Sequence, residues 1–169
     1  MRLSTTYTLP FKRKLEGKTD YKKRMRLLSS RRPRLVVRRS LNSIIAQIVI
    51  FGDNGDKTLA AANSKSLKKL GWTFACDNLP AAYLTGFAIG KAATKAKVDG
   101  AILDSGLYRS TKGNRIYAVV KGAIDAGLNV PADESMMPSE DRLSGKHIAK
   151  FKDLPQKFEQ IKQALSRGA

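Results

Sequence analysis

The sequence predicts an α/β domain: a three-stranded antiparallel meander plus a further strand, helices packed on the sheet, a basic N-terminal extension and a helical C-terminal tail. Three observations predict it. Apolar runs at 35–37, set among arginines, and at 43–52 are followed by an Asn-Gly turn and a third short run. Two longer stretches, opening at Asn78 and Asn114, carry helix start signals followed by apolar positions at helical spacing. The charge is also lopsided: residues 1–40 hold 14 Lys and Arg against Glu16 and Asp20, whereas residues 132–169 hold 7 against 6 acidic residues. The expected divisions are an extension over 1–32, a core over 33–131 and the tail over 132–169.

The extension offers too little apolar material for a core, and residues 1–18 are expected to be disordered in isolation. Lys12-Arg13-Lys14 stands among Tyr7, Pro10 and Phe11, so that cations can meet phosphates while an aromatic ring stacks on a base or packs on the domain. Thr19 and Asp20 offer caps to a helix over Tyr21 to Ser29, whose stripe is Tyr21, Met25 and Leu28 with Leu27 beside them. Its cations Lys22, Lys23, Arg24 and Arg26 have no acidic partner within the helix, which favours phosphate contact.

After Pro33 the first strand alternates two faces: Arg34, Val36 and Arg38 on one, Leu35, Val37 and Arg39 on the other. Arginines are not expected in a core, so this strand reads as a platform facing phosphate. Arg39 shares the apolar parity, so it must lie past the edge of the core or mark a bulge. The second strand, Ser43 to Gly52, is apolar on both faces, as a central strand is. Asp53-Asn54-Gly55-Asp56 is the hairpin turn into a third strand, Lys57 to Asn63.

A short helical turn follows from Ser64 to Leu70, ended by Gly71. The main helix starts at the Asn78 cap with Pro80 in its first turn and runs to about Lys97. Gly86 and Gly90, four apart, lower its helix propensity and point to close backbone approach. A short strand, Val98 to Asp104, leads through a loop with Tyr108, Arg109 and Lys112 to a second helix, Asn114 to Ala126, closed by Gly127. Residues 132–141 read as a loop, Ser144-Gly145 as a break, and Asp153-Leu154-Pro155-Gln156 as the start of a last helix with Phe158, Ile161 and Leu165 on one face.

The formal net charge of +18 points to a polyanionic partner. Cys76 is the sole cysteine, which leaves no intramolecular disulfide or thiolate zinc cluster and fits a reducing, intracellular setting. No membrane span and no apolar signal core are expected. His147 is the sole histidine and reads as an exposed tail residue, so no metal site and no cofactor are expected. Gly86-Phe87-Ala88-Ile89-Gly90-Lys91-Ala92 is not a phosphate loop: three residues separate the glycines where four are needed, and Ala92 replaces the metal-binding hydroxyl. A metal-dependent nuclease would need converging carboxylates. Asp53 and Asp56 belong to the hairpin turn, Asp77 to a cap, Asp99 to a turn and Asp125 to a helix end. Asp104 alone ends a strand, where it reads as a turn cap at Ser105-Gly106. An RNA chaperone is the other alternative.

Glu16-Gly17-Lys18-Thr19-Asp20-Tyr21, preceded by Pro10-Phe11-Lys12-Arg13-Lys14 and followed by Arg24, resembles the N-terminal signature of the large-subunit ribosomal protein L-eighteen family. Pro33-Arg34-Leu35-Val36-Val37-Arg38-Arg39-Ser40, with Asn42 and Ile45-Ala46-Gln47-Ile48, resembles the family's first two strands. Asp104-Ser105-Gly106-Leu107-Tyr108, Gly113-Asn114-Arg115-Ile116-Tyr117-Ala118 and Lys121 to Leu128 resemble its closing strand, loop and helix. The short tail resembles the archaeal form. The resemblance implies a ribonuclease H-like motif of the kind found in translational machinery components, and no catalytic activity. It further implies binding to 5S rRNA, anchoring of it to 23S rRNA in the central protuberance, a neighbour such as ribosomal protein L-five, and a place in the cytoplasmic ribosome.

Charge clustering and these matching positions together nominate the RNA-binding residues. A threading set comprises Tyr7, Lys12, Arg13, Lys14, Lys18, Lys22, Lys23, Arg24, Arg26, Arg31 and Arg32. A platform set comprises Arg34, Arg38, Arg39, Ser40, Asn42, Tyr108, Arg109, Lys112 and Arg115. Tyr7 and Tyr108 are the candidates to stack on a base.

Overall fold

The computed structural model describes residues 8–53, 55–148, 151 and 153–167. Strands β1 (Arg34–Arg39), β2 (Ile44–Gly52) and β3 (Gly55–Asn63) form the antiparallel meander. β4 (Ile102–Asp104) lies on the other side of β1 and runs parallel to it, giving the sheet order β3-β2-β1-β4. The connection that turns β4 parallel is a 3-10 segment (Ser64–Leu70) followed by helix α3 (Leu79–Lys95), since parallel neighbours need a long crossover. After β4 comes helix α4 (Arg115–Asp125).

Alternation along the strands separates two faces. Leu35, Val37, Ile44, Ala46 and Ile48 are each at most 1% exposed and face the helices α3 and α4. Burial of the Leu, Val and Ile side chains contributes about 1.5–3 kcal/mol each and is the main force holding the sheet to the helices. α3 is buried nearly all round, from Pro80 to Phe87 and at Ile89, Gly90 and Ala93. Its start follows the predicted chemistry: the Asn78 side chain accepts from the Ala81 N–H at 2.9 Å. It ends at Lys95, two residues short of the expected Lys97, which has a left-handed φ of 56°.

α3 and α4 cross with backbone nearly on backbone. A Cβ on Gly86 would stand 2.0 Å from the Val119 carbonyl oxygen, and one on Gly90 would stand 2.8 Å from that of Ala123. Gly86 and Gly90 therefore do what their spacing predicted. Gly122 of α4 completes the approach from the other side and was not foreseen.

Beyond α4 lie a 3-10 turn (Glu134–Met136), the short helix α5 (Glu140–Ser144) and helix α6 (Leu154–Arg167). α6 docks on α3 of its own chain, with Leu154, Phe158 and Ile161 buried and the Phe158 ring 5.3 Å from that of Tyr83. Burial, and then a 2.7 Å hydrogen bond to Asp125, raise the Tyr83 hydroxyl above its ordinary value. His147 is exposed. Among the described residues no helix is long and apolar enough to cross a membrane.

Candidate RNA interface

The second face of the sheet mixes charged and polar side chains with apolar ones such as Val36 and Val49, and the extension lies across it. Helix α2 (Tyr21–Ser29) starts where expected, with the Asp20 carboxylate accepting from the Lys23 N–H. Its apolar side is displaced from the expected stripe: Tyr21, Leu27 and Leu28 are half-buried, but Met25 is 68% exposed. Residues 12–15 form a single helical turn, α1 (Lys12–Leu15), so this part of the extension has order of its own. The Phe11 ring rests 5.0 Å from that of Tyr21, which is the packing alternative to base stacking. Between α1, α2 and the sheet is a groove of about 590 Å³, floored by Val36, Gln47, Val49 and Thr58.

A chain of alternating charges crosses this groove. Arg38 Nη2 lies 3.1 Å from Asp104 Oδ1, and Arg34 Nη1 lies 3.0 Å from Asp104 Oδ2. Arg34 Nη2 lies 2.8 Å from Asp56 Oδ1, a contact that is ionic and off the hydrogen-bond line. Arg24 then grips Asp56 with two hydrogen bonds of 2.9 Å. Beside it, Lys23 Nζ donates to Ser105 Oγ at 3.0 Å and to the Gly106 carbonyl at 2.8 Å. Partial burial pushes the Asp104 carboxyl up, but the Arg38 guanidinium, the Gly106 N–H and Arg34 outweigh it and hold Asp104 below its ordinary value. At Asp56 burial is likewise outweighed, here by the hydrogen bonds from Arg24 and by the charge of Arg34.

Two expectations need correcting. Arg34 is 2% exposed and belongs to the interior, because two carboxylates meet its charge there. Asp56 is a residue of β3 rather than of the turn alone, and it is the acidic partner that α2 lacks within itself. Asp104 does cap the turn, accepting from the Gly106 N–H at 2.9 Å, and it also holds two arginines. No sequence signal identified Asp56 or Asp104 as partners of the arginines. Strand register, once known, does.

The nominated cations therefore divide. Lys23 and Arg24 turn toward the sheet, and with Arg34 and the half-exposed Arg38 of β1 they make the contacts above. Arg115 is half-buried, with Nη1 donating to the Asp77 carbonyl at 2.7 Å and lying 3.0 Å from its carboxylate. Lys12, Arg13, Lys14, Lys18, Lys22, Arg26, Arg31 and Arg32 are exposed along the extension. Of these, Lys18 pairs with Glu16 at 2.8 Å, and Arg13 donates to Thr19 at 2.9 Å. Such exposed pairs contribute little to stability. Arg31, in the left-handed conformation with φ of 53°, closes α2 just before β1. Tyr7 lies outside the described residues.

A second exposed group surrounds the start of α4. Arg39, Ser40, Asn42, Arg109 and Lys112 are exposed, and Arg39 sits past the covered part of β1, as its parity required. Its guanidinium lies 5.0 Å over the Tyr108 ring, whose hydroxyl donates to the Arg39 carbonyl. Arg39, Tyr108, Arg109, Asn114 and Arg115 border a hollow of about 120 Å³. Asn114 caps α4, accepting from the N–H groups of Ile116 and Tyr117. Among the described residues no group of three or more His, Cys, Asp or Glu side chains is placed to hold a metal ion.

Comparison with known proteins shows the family of the chain. The family described as ribosomal large subunit proteins 60S L5 and 50S L18 matches over residues 5–100 and 91–133. A large ribosomal subunit protein uL18 from Korarchaeum cryptofilum is 52% identical over 151 residues, covering 89% of this chain and 77% of that protein. One of the same name from Methanococcus maripaludis is 46% identical over 151 residues, covering 89% and 78%. The chain belongs to this family of large-subunit ribosomal proteins, and is a structural constituent of the ribosome rather than an enzyme.

Proposed function

We propose that this chain binds 5S rRNA and anchors it to 23S rRNA in the central protuberance, beside a neighbour such as ribosomal protein L-five. The observation that carries this reading is the division of the cations. A folded scaffold holds two outward-facing groups of Lys and Arg, one along the extension and one around Arg39, Arg109 and Lys112. Exposed guanidinium and ammonium groups neutralise phosphates, and a structured RNA is recognised mainly through its shape and backbone. Held at fixed separation on one body, the two groups suit a folded RNA better than an arbitrary strand. Asp104, the carboxylate that a nuclease would require, is engaged by Arg34 and Arg38.

Equilibrium binding of 5S rRNA and of an unrelated RNA of equal length, each titrated with salt, tests the reading. Affinity for both is expected to fall as salt rises, because phosphate neutralisation releases counterions. The preference for 5S rRNA is expected to persist at the highest salt. Equal affinity for the two RNAs throughout would contradict 5S recognition and point to a chaperone.

A further inference from the structure

Resting on the RNA-binding reading above, we propose that Asp56 is a positioning residue for RNA: through Arg24 it latches α2 across the sheet, so that the outward cations of α2 stand at a fixed place. The two hydrogen bonds between Arg24 and Asp56 are 2.9 Å each, with both side chains 32% exposed. Asp56 is held in turn by Arg34, which is anchored to β4 through Asp104. The latch thus connects a surface helix to the interior of the sheet. Lys23 adds a second tie one residue away, to Ser105 and Gly106. Facing the other way on the same helix, Lys22 and Arg26 are exposed.

α2 cannot hold this position by apolar contact alone. It has nine residues, none of them fully buried, and its Met25 is 68% exposed. An isolated helix of that length is marginal in water. Without the latch the outward cations would still be present but no longer preordered, and RNA would have to fix them on binding. Two opposite expectations follow for the same substitution. If Arg24 touches phosphate directly, removing Asp56 frees it and binding tightens. If Arg24 is a latch, removing Asp56 weakens binding even though the formal charge rises by one from +18.

The test is a thermodynamic cycle on the full chain with Asp56→Asn, Arg24→Gln and the double variant. Affinity is measured for 5S rRNA and for the unrelated RNA, with amide hydrogen exchange of α2 in the free protein. We expect Asp56→Asn to lower affinity about 5- to 30-fold, the range that one or two kcal/mol of lost preorganisation produces. α2 amides should exchange faster while those of α3 are unchanged. Arg24→Gln should have a similar effect alone and add little in the Asp56→Asn background, as partners in one interaction do. The Asp56→Glu variant should recover part of the affinity. Unchanged or tighter binding by Asp56→Asn, or fully additive losses in the double variant, would overturn the latch. Equal affinity of the unsubstituted chain for both RNAs would instead refute 5S recognition, and the cycle would still report on the latch through either RNA.

Discussion

Replacing Asp104 with alanine is expected to destabilise the fold by about 3–5 kcal/mol, the cost of leaving a buried charge without its partner. Arg34 is 2% exposed, and its Nη1 is met by Asp104 at 3.0 Å. Its other ionic partner, Asp56, is 32% exposed and therefore better screened. The same substitution strips Arg38 of its carboxylate and the Gly106 N–H of its acceptor. For a chain of this size the melting temperature should drop on the order of 10 °C. Asp104→Asn, which retains an acceptor for Gly106, should recover only part of the loss. Asp56→Asn should cost much less stability, since Arg34 keeps Asp104. Thermal melts of the three variants separate these outcomes. A melt of Asp104→Ala like that of the unsubstituted chain would mean that Arg34 swings into solvent without penalty.

Gly122→Ala is the second large effect. Alanine is favoured over glycine inside a helix by about 1 kcal/mol, so helix propensity alone predicts a more stable protein. Packing predicts the reverse. The added Cβ would stand 2.1 Å from the Tyr83 carbonyl oxygen and 2.8 Å from the Phe87 nitrogen. Both are backbone atoms of α3, which cannot rotate away as a side-chain tip can. The helices must separate, and a forced core costs about 1–3 kcal/mol or more net. Gly86→Ala should behave alike, its Cβ falling 2.0 Å from the Val119 carbonyl oxygen. The double variant should lose less than the sum, because one separation relieves both clashes. Denaturant titration measures this. A stabilised Gly122→Ala would show that α3 and α4 part freely.

The fold was legible wherever local chemistry decides it. The Asn78 and Asn114 caps, the alternation in β1 and the two glycines of α3 each have a short-range cause, and each is where the pattern puts it. The interface was legible only in part, because alternation says which residues share a face and not what covers that face. Arg34, Val36 and Arg38 were rightly grouped. Since α2 and two carboxylates close over that face, the innermost of the arginines became interior. Asp56 was harder still. Between Ile48 and Val49 the pairing with β3 slips, so that Ile48 lies opposite Ala60 but Val49 opposite Thr58. Leu59 is the extra residue of a bulge, and a bulge exchanges the faces beyond it. Without the slip, Asp56 would point toward the helices. With it, Asp56 lies opposite Phe51, on the side of Arg34. No composition rule marks that one-residue irregularity.

The partition into inward and outward cations is tested most directly by measuring 5S rRNA affinity against salt for the triple variant Lys22→Gln, Arg26→Gln, Arg109→Gln. All three residues are exposed. The expected result is weaker binding, with the slope of log affinity against log salt reduced by about one for each phosphate no longer neutralised. The melting temperature should stay unchanged, as it does for most surface substitutions. Unchanged affinity and slope in a normally folded triple variant would contradict the assignment of RNA binding to the outward set.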